Sequence, residues 1–254
     1  MSSIFTEFSL IVMVWCASVL ALAGAVKGIL GIGLPIISIP LLALVMPVPQ
    51  AVALMPLPIL FSNIWQSFHG GYFLKTLRRF WALLLGLIIG TVIGTKVLSV
   101  VHPHMLYVLV GVVVVVFSLT SYLQPQLRVT PHHERWLAPT AGLVGGLLGG
   151  LSTIFGPPLI IFLVALHLQK DEFVGTISTF YLIGVLPLIL ALGAFHMMGQ
   201  GELIASSLAT VPLLIGVGIG QILRTRIAQE SFRRVLLVML ALLGCGLVVR
   251  ALLA

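Results

Sequence analysis
The chain has 254 residues, of which 60% are hydrophobic and only 7% charged, with a formal net charge of +7. Soluble domains carry about 25% charged residues, so this composition excludes a water-soluble globule and equally a disordered chain. The basic excess does not mark a nucleic-acid binder, because Lys and Arg fall in short loops and form no stripe interleaved with aromatics. Cys16 and Cys245 both fall inside apolar runs, which argues against a disulfide framework or a metal knuckle.

The apolar segments in chain order are 8–31, 35–46, 50–68, 80–100, 105–123, 138–151, 157–168, 173–197, 203–222 and 234–253. No Lys or Arg precedes the first, so residues 8–26 are expected to be retained rather than cleaved as a signal peptide. Between Lys27 and Lys75 lie 47 residues without a charged side chain. A membrane span needs about 20 apolar residues, so this stretch can enter a bilayer more than once. Segments 50–68, 80–100, 105–123, 173–197, 203–222 and 234–253 have span length. Segments 35–46, 138–151 and 157–168 are too short to cross alone, and paired half-helices that enter and return fit them.

The two halves repeat. Gly28-Ile-Leu-Gly31 matches Gly146-Leu-Leu-Gly149, and Pro40-Leu41 matches Pro158-Leu159, at an offset of 118. Ile89-Gly90 and Ile93-Gly94 match Ile215-Gly216 and Ile219-Gly220 at an offset of 126. Loops 70–79, 124–136, 169–172 and 223–234 hold 10 of the 13 basic residues, whereas loops 47–49, 101–104 and 198–202 hold none. Excess Lys and Arg mark the cytoplasmic side. The alternation requires residues 138–168 to leave and return on one side. It also gives each half an odd number of crossings, so the repeats are expected to be inverted. The expected fold is an all-α polytopic membrane protein of two inverted repeats, each with one broken, re-entrant helix pair plus three transmembrane helices. The repeats are 1–123 and 138–254, joined by a cytoplasmic linker at 124–137. Whether residues 8–31 cross the membrane or form half of a re-entrant pair stays open at this point.

The glycine-rich breaks carry a resemblance. Residues 24–41, which include Gly31-Ile32-Gly33-Leu34-Pro35, resemble the first signature of the sulfite exporter TauE/SafE family, the toluene-sulfonate uptake permease group. Residues 142–159, which end in Ser152-Thr153-Ile154-Phe155-Gly156-Pro157-Pro158-Leu159, resemble the second, and Pro49-Gln50-Ala51-Val52-Ala53 is similar to the start of the family's next helix. The similarity spans about residues 10–253. Two departures stand out: many relatives have three successive glycines at the first break, and here Ser152 and Thr153 are interposed at the second. The resemblance implies a secondary transporter in the cell inner (cytoplasmic) membrane. It would move sulfite, sulfoacetate or a related sulfonate, with protons as a candidate coupling ion. The alternatives are a carrier of another small organic anion, such as a carboxylate, and a non-transporting membrane assembly subunit.

An anion in a dry site needs donors and positive potential. Half-helices restarting at Pro35 and Pro157 offer free amides, and Gly31, Gly33 and Gly156 let backbone approach closely. Lys27 is a candidate cation in the first broken segment, with a snorkelling lysine as the other reading. Ser38 lies in the same break. Asn63 and Gln66 share a helical face with His69, and Ser178 lies on the matching helix of the second half. Ser152 and Thr153 are the expected hydroxyl donors at the second break. The substrate set is thus Lys27, Gly31, Gly33, Pro35, Ser38, Asn63, Gln66, Ser152, Thr153, Gly156 and Ser178, with no metal and no cofactor. The six carboxylates all fall in loops or at ends, which disfavours a cation carrier. No His-Glu-x-x-His, Gly-x-Ser-x-Gly or Walker loop occurs, so no enzyme and no ATP-driven pump is expected.

Overall fold
The computed structural model describes residues 10–31, 33–123, 129–224 and 229–253. Gln124–Arg128 of the expected linker, and Arg226 of a basic loop, lie outside them. Every regular element among the described residues is helical. In chain order the α-helices are α1 (Leu10–Leu30), α2 (Leu34–Leu42), α3 (Val48–Leu54), α4 (Pro56–Phe68), α5 (Tyr72–Arg79), which a 3-10 turn at His69–Gly71 joins to α4, and α6 (Trp81–Val100). There follow α7 (Pro103–Leu123), α8 (Pro131–Ser152), α9 (Gly156–Ala165), α10 (Lys170–Ala194), α11 (Gln200–Leu223) and α12 (Gln229–Leu253). Among the described residues, six stretches are long and apolar enough to cross a membrane: α1, Val48–Phe68, α6, α11, and all of α7 and α10 except their first residues. Large apolar side chains stand exposed on these helices, such as Leu190 at 74% and Leu208 at 55%, a surface suited to lipid rather than water. The chain is a multi-pass membrane protein.

Several boundaries differ from the expectation for clear reasons. Segment 138–151 is the apolar part of a longer helix: α8 has 22 residues, about 33 Å, because Pro131 opens it through a polar first turn. The broken pairs are therefore unequal. A full-length helix (α1 or α8) is followed by a half-helix of 9 or 10 residues (α2 or α9). Residues 50–68 are interrupted at Met55, because Pro56 removes an amide and crowds the preceding turn. The basic loop 70–79 contains a helix, α5, which ends in Arg78 and Arg79.

The chain divides into two compact units. The first comprises Met1–Pro58, Val101–Gln124 and Met197–Ala254; the second comprises Ile59–Val100 and Pro125–His196. In the first unit α1 packs along α11. A Cβ on Gly24 would meet the Leu213 carbonyl, and one on Gly28 the Val217 carbonyl, at under 3.0 Å. In return Gly216 lies against the Ala21 carbonyl and Gly220 against that of Ala25. Contacts advance together by four residues, so the helices run parallel with backbones in contact. Between membrane helices, where lipid competes equally for apolar surface, such stripes of small residues are what permits tight association. The helices α7 and α12 meet in the same unit, Gly111 against the Gly244 carbonyl and Gly244 against that of Gly111.

The second unit is built around α6 and α8, also parallel. Gly142 and Gly146 lie on the carbonyls of Leu83 and Leu87, and Gly86 and Gly90 on those of Pro139 and Leu143. These four contacts match those of α1 with α11 one for one. Residues of α1 map to α8 at an offset of 118, and those of α6 to α11 at 130. The packing thus shifts the glycine ridge by one helical turn from the offset of 126 taken from its Ile-Gly pairs. The first helix of each sequence half packs on the glycine-ridged helix of the other half. At one end of this unit Arg79 donates two hydrogen bonds to Glu134, at 2.9 and 3.0 Å, and Lys75 pairs with Glu172 at 2.8 Å. Bonding to the Glu134 carboxylate holds the Arg79 guanidinium above its ordinary range.

Candidate functional site
In the first unit the break lies between α1 and α2. The Gly31 amide donates to the Lys27 carbonyl at 2.7 Å, and the chain turns through left-handed backbone, with φ of +82° at Gly31 and +107° at Gly33. Glycine adopts these angles without Cβ strain. The next helix begins with Leu34 and Pro35 in its first turn. Leu34 and Ile36 have amides there without an intrahelical acceptor, while Pro35 has no N–H to leave unsatisfied. Ser38 is buried and donates to the Leu34 carbonyl at 2.8 Å, with Met55 Sδ at 3.4 Å. Lys27 stands in the last turn of α1 and is only 1% exposed. A snorkelling lysine would keep its ammonium at the surface, so that reading fails.

The second unit holds the other break. The helix α8 is capped by Thr153, which takes φ +60° and whose amide donates to the Gly149 carbonyl at 2.6 Å. Both hydroxyls expected as donors are turned inward. Ser152 Oγ donates to the Leu148 carbonyl at 2.8 Å and Thr153 Oγ1 to the Ser152 carbonyl at 2.6 Å. Their protons shape the break, which leaves their oxygens as acceptors. Of the first three residues of α9, Pro157 and Pro158 have no amide hydrogen, so Gly156 alone can donate. The phenol of Tyr181 lies beside it: a Cβ on Gly156 would stand 2.7 Å from the Tyr181 oxygen. The Phe155 ring packs over Gly149 and Gly184.

Asn63, Gln66 and Ser178 belong to this second unit as well. Ser178 Oγ donates to Gln66 Oε1 at 3.0 Å, joining α10 to α4. Asn63 is buried and donates to the Ile59 carbonyl at 2.7 Å. Of the eleven candidates, then, Lys27, Gly31, Gly33, Pro35 and Ser38 lie in the first unit, and the other six in the second.

Two side chains gain weight that the sequence did not give them. Tyr181 follows Ser178 by three residues on the same helical face, and no motif marks it. Ser67 was not singled out at all. Its hydroxyl is fully buried and is without a hydrogen-bond partner among the described residues. Other helical hydroxyls, such as those of Thr91, Thr95, Ser118 and Thr210, bond back to carbonyls four residues earlier. An unsatisfied buried hydroxyl costs roughly 1–3 kcal/mol. If it is kept for a solute, Ser67→Ala raises the thermal stability of the empty protein by about 1 kcal/mol while lowering substrate flux. Melting in detergent and flux into vesicles, measured on one preparation, check both halves.

The family profile described as Sulfite exporter TauE/SafE matches residues 16–247, which takes in both breaks and every candidate residue. The chain belongs to the sulfite exporter TauE/SafE family. No curated protein and no solved structure matches the chain. A TauE/SafE member is a membrane transporter of the sulfite and sulfonate type, and the two breaks are the polar, irregular backbone of such a chain. Irregular backbone inside a membrane protein is tolerated where it is buried or lines a cavity.

Proposed function
We propose that the chain is a secondary transporter that moves a small organosulfur or sulfur oxoanion, such as sulfite, sulfoacetate or a related sulfonate, across the cytoplasmic membrane by alternating access. The observation that carries this reading is the recurrence of one device in each unit. A helix packed by glycine on its neighbour ends in left-handed backbone, and a half-helix restarts on proline. The opening turn of α2 supplies amide donors and a positive dipole end for an anion, near a buried lysine on α1. At α9 one amide and the Tyr181 phenol take that place.

Two inverted repeats, 1–123 and 138–254, form the proposed organisation. The parallel packing supports it. The helix α11 starts after a loop without Lys or Arg, whereas α6 starts just after Arg78 and Arg79. Because α1 runs with α11 and α8 with α6, the charge of the loops ahead of α11 and α6 supports opposite directions for the two broken pairs. Anion coupling to protons or voltage, rather than ATP, fits the absence of a Walker loop.

Flux measurements in proteoliposomes with sulfite, sulfoacetate, taurine and acetate test the proposal. Saturable uptake of one or more of the sulfur compounds is expected, with acetate ineffective. Transport of acetate alone would replace it with an organic-anion carrier. No flux at all, with Ser152→Cys and Asn63→Cys both inaccessible to thiol reagents, would favour an assembly subunit.

A further inference from the structure
Away from both breaks, the first unit carries a groove of about 250 Å³ between α1, α3 and α11. We propose that it binds one acyl chain of a phospholipid with a primary-amine headgroup, phosphatidylethanolamine, with the ammonium at Glu202. The lining is apolar along its length, from Val12 and Leu20 on α1 to Ala209 and Pro212 on α11. Its polar members are Gln50 and Glu202, on the opening turns of α3 and α11. From Glu202 to Pro212 is ten residues, about 15 Å along the helix, which equals half of a hydrocarbon core of about 30 Å. The groove is therefore as long as one leaflet is deep, apolar inside and polar at one end, as an amphipathic lipid requires.

Charge decides which lipid. Glu202 Oε2 accepts the Gly199 amide at 2.8 Å, which fixes the carboxylate at the start of α11. No Lys or Arg is among the lining residues. A fixed carboxylate at the mouth attracts an ammonium and repels anionic headgroups and anionic substrates alike, so this site is separate from the transport path. Small side chains at Ala205 and Ala209 create the hollow, and the exposed Leu208 borders it.

The test uses the full-length protein, delipidated in detergent and then offered phosphatidylethanolamine or phosphatidylglycerol with matched acyl chains, with retained lipid counted by native mass spectrometry. Wild type should retain one phosphatidylethanolamine and prefer it about fivefold. Leu208→Trp, which caps the groove from the exposed side, should abolish retention without lowering the melting temperature. Ala209→Leu, which fills the hollow, serves as the second variant if the first misfolds. Glu202→Gln keeps an acceptor for the Gly199 amide and should retain lipid without preference between headgroups. Equal retention of both lipids by wild type overturns the headgroup assignment. Unchanged retention in both groove variants overturns the site.

Discussion

Replacing Lys27 with Met is expected to cut sulfur-oxoanion flux by at least about 30-fold while the protein stays folded. Removing one partner of a buried, hydrogen-bonded charge pair costs roughly 2–5 kcal/mol, and every 1.4 kcal/mol is a factor of ten. Lys27 is among the largest fully buried side chains and stands one turn before the first break, at a helix C-terminus where the backbone dipole favours a cation. Met keeps the unbranched stem and its packing, while the ammonium and its polar contacts are lost. Proteoliposome flux, with gel filtration and melting of the same preparation, reads the two effects separately. Flux near the wild-type level in a folded Lys27→Met protein would remove the lysine from the mechanism.

The second large effect is on assembly. Gly90→Val should lower stability by about 3 kcal/mol or prevent accumulation of the protein, whereas Gly218→Ala on α11 should cost less than about 0.5 kcal/mol. A Cβ at Gly90 would press on the backbone carbonyl of Leu143, which cannot swing aside as a side-chain tip can. At Gly218 nothing lies within 4 Å. By the correspondence of the two helix pairs, Gly220→Val should behave as Gly90→Val does. Melting curves in detergent decide it, and equal stability of Gly90→Val and Gly218→Ala would break the close-packing argument.

Hydropathy made the long spans legible, and the Gly-Pro punctuation made both breaks legible, because each reports a local property of the chain. The start of α8 was hidden for the opposite reason. Its first turns hold His132, Glu134 and Arg135, which read as a polar loop, yet Pro131 opens a helix there and Arg79 fastens Glu134. The glycine ridge was visible but its register was not. Glycines at 86, 90 and 94 repeat every four residues, so sequence matching slides by one turn at no cost, and only the facing carbonyls select the alignment. At the second break the roles of Ser152 and Thr153 depended on where their hydroxyl protons point, and the sequence carries no such information. The interest of Ser67 lies in a bond it does not make, which no motif encodes.

The exchange of helices between sequence halves has a consequence for biogenesis. The neighbour that covers the glycine face of α1 starts at Gln200, 170 residues after α1 ends at Leu30. At about 5–20 residues per second, a ribosome needs roughly 10–35 s to make that stretch. Throughout that interval α1 sits in the bilayer with its backbone groove uncovered and a lysine near its end. Insertion is therefore completed late, from the C-terminal side, and the nascent chain needs shelter from the membrane insertion machinery until α11 is made.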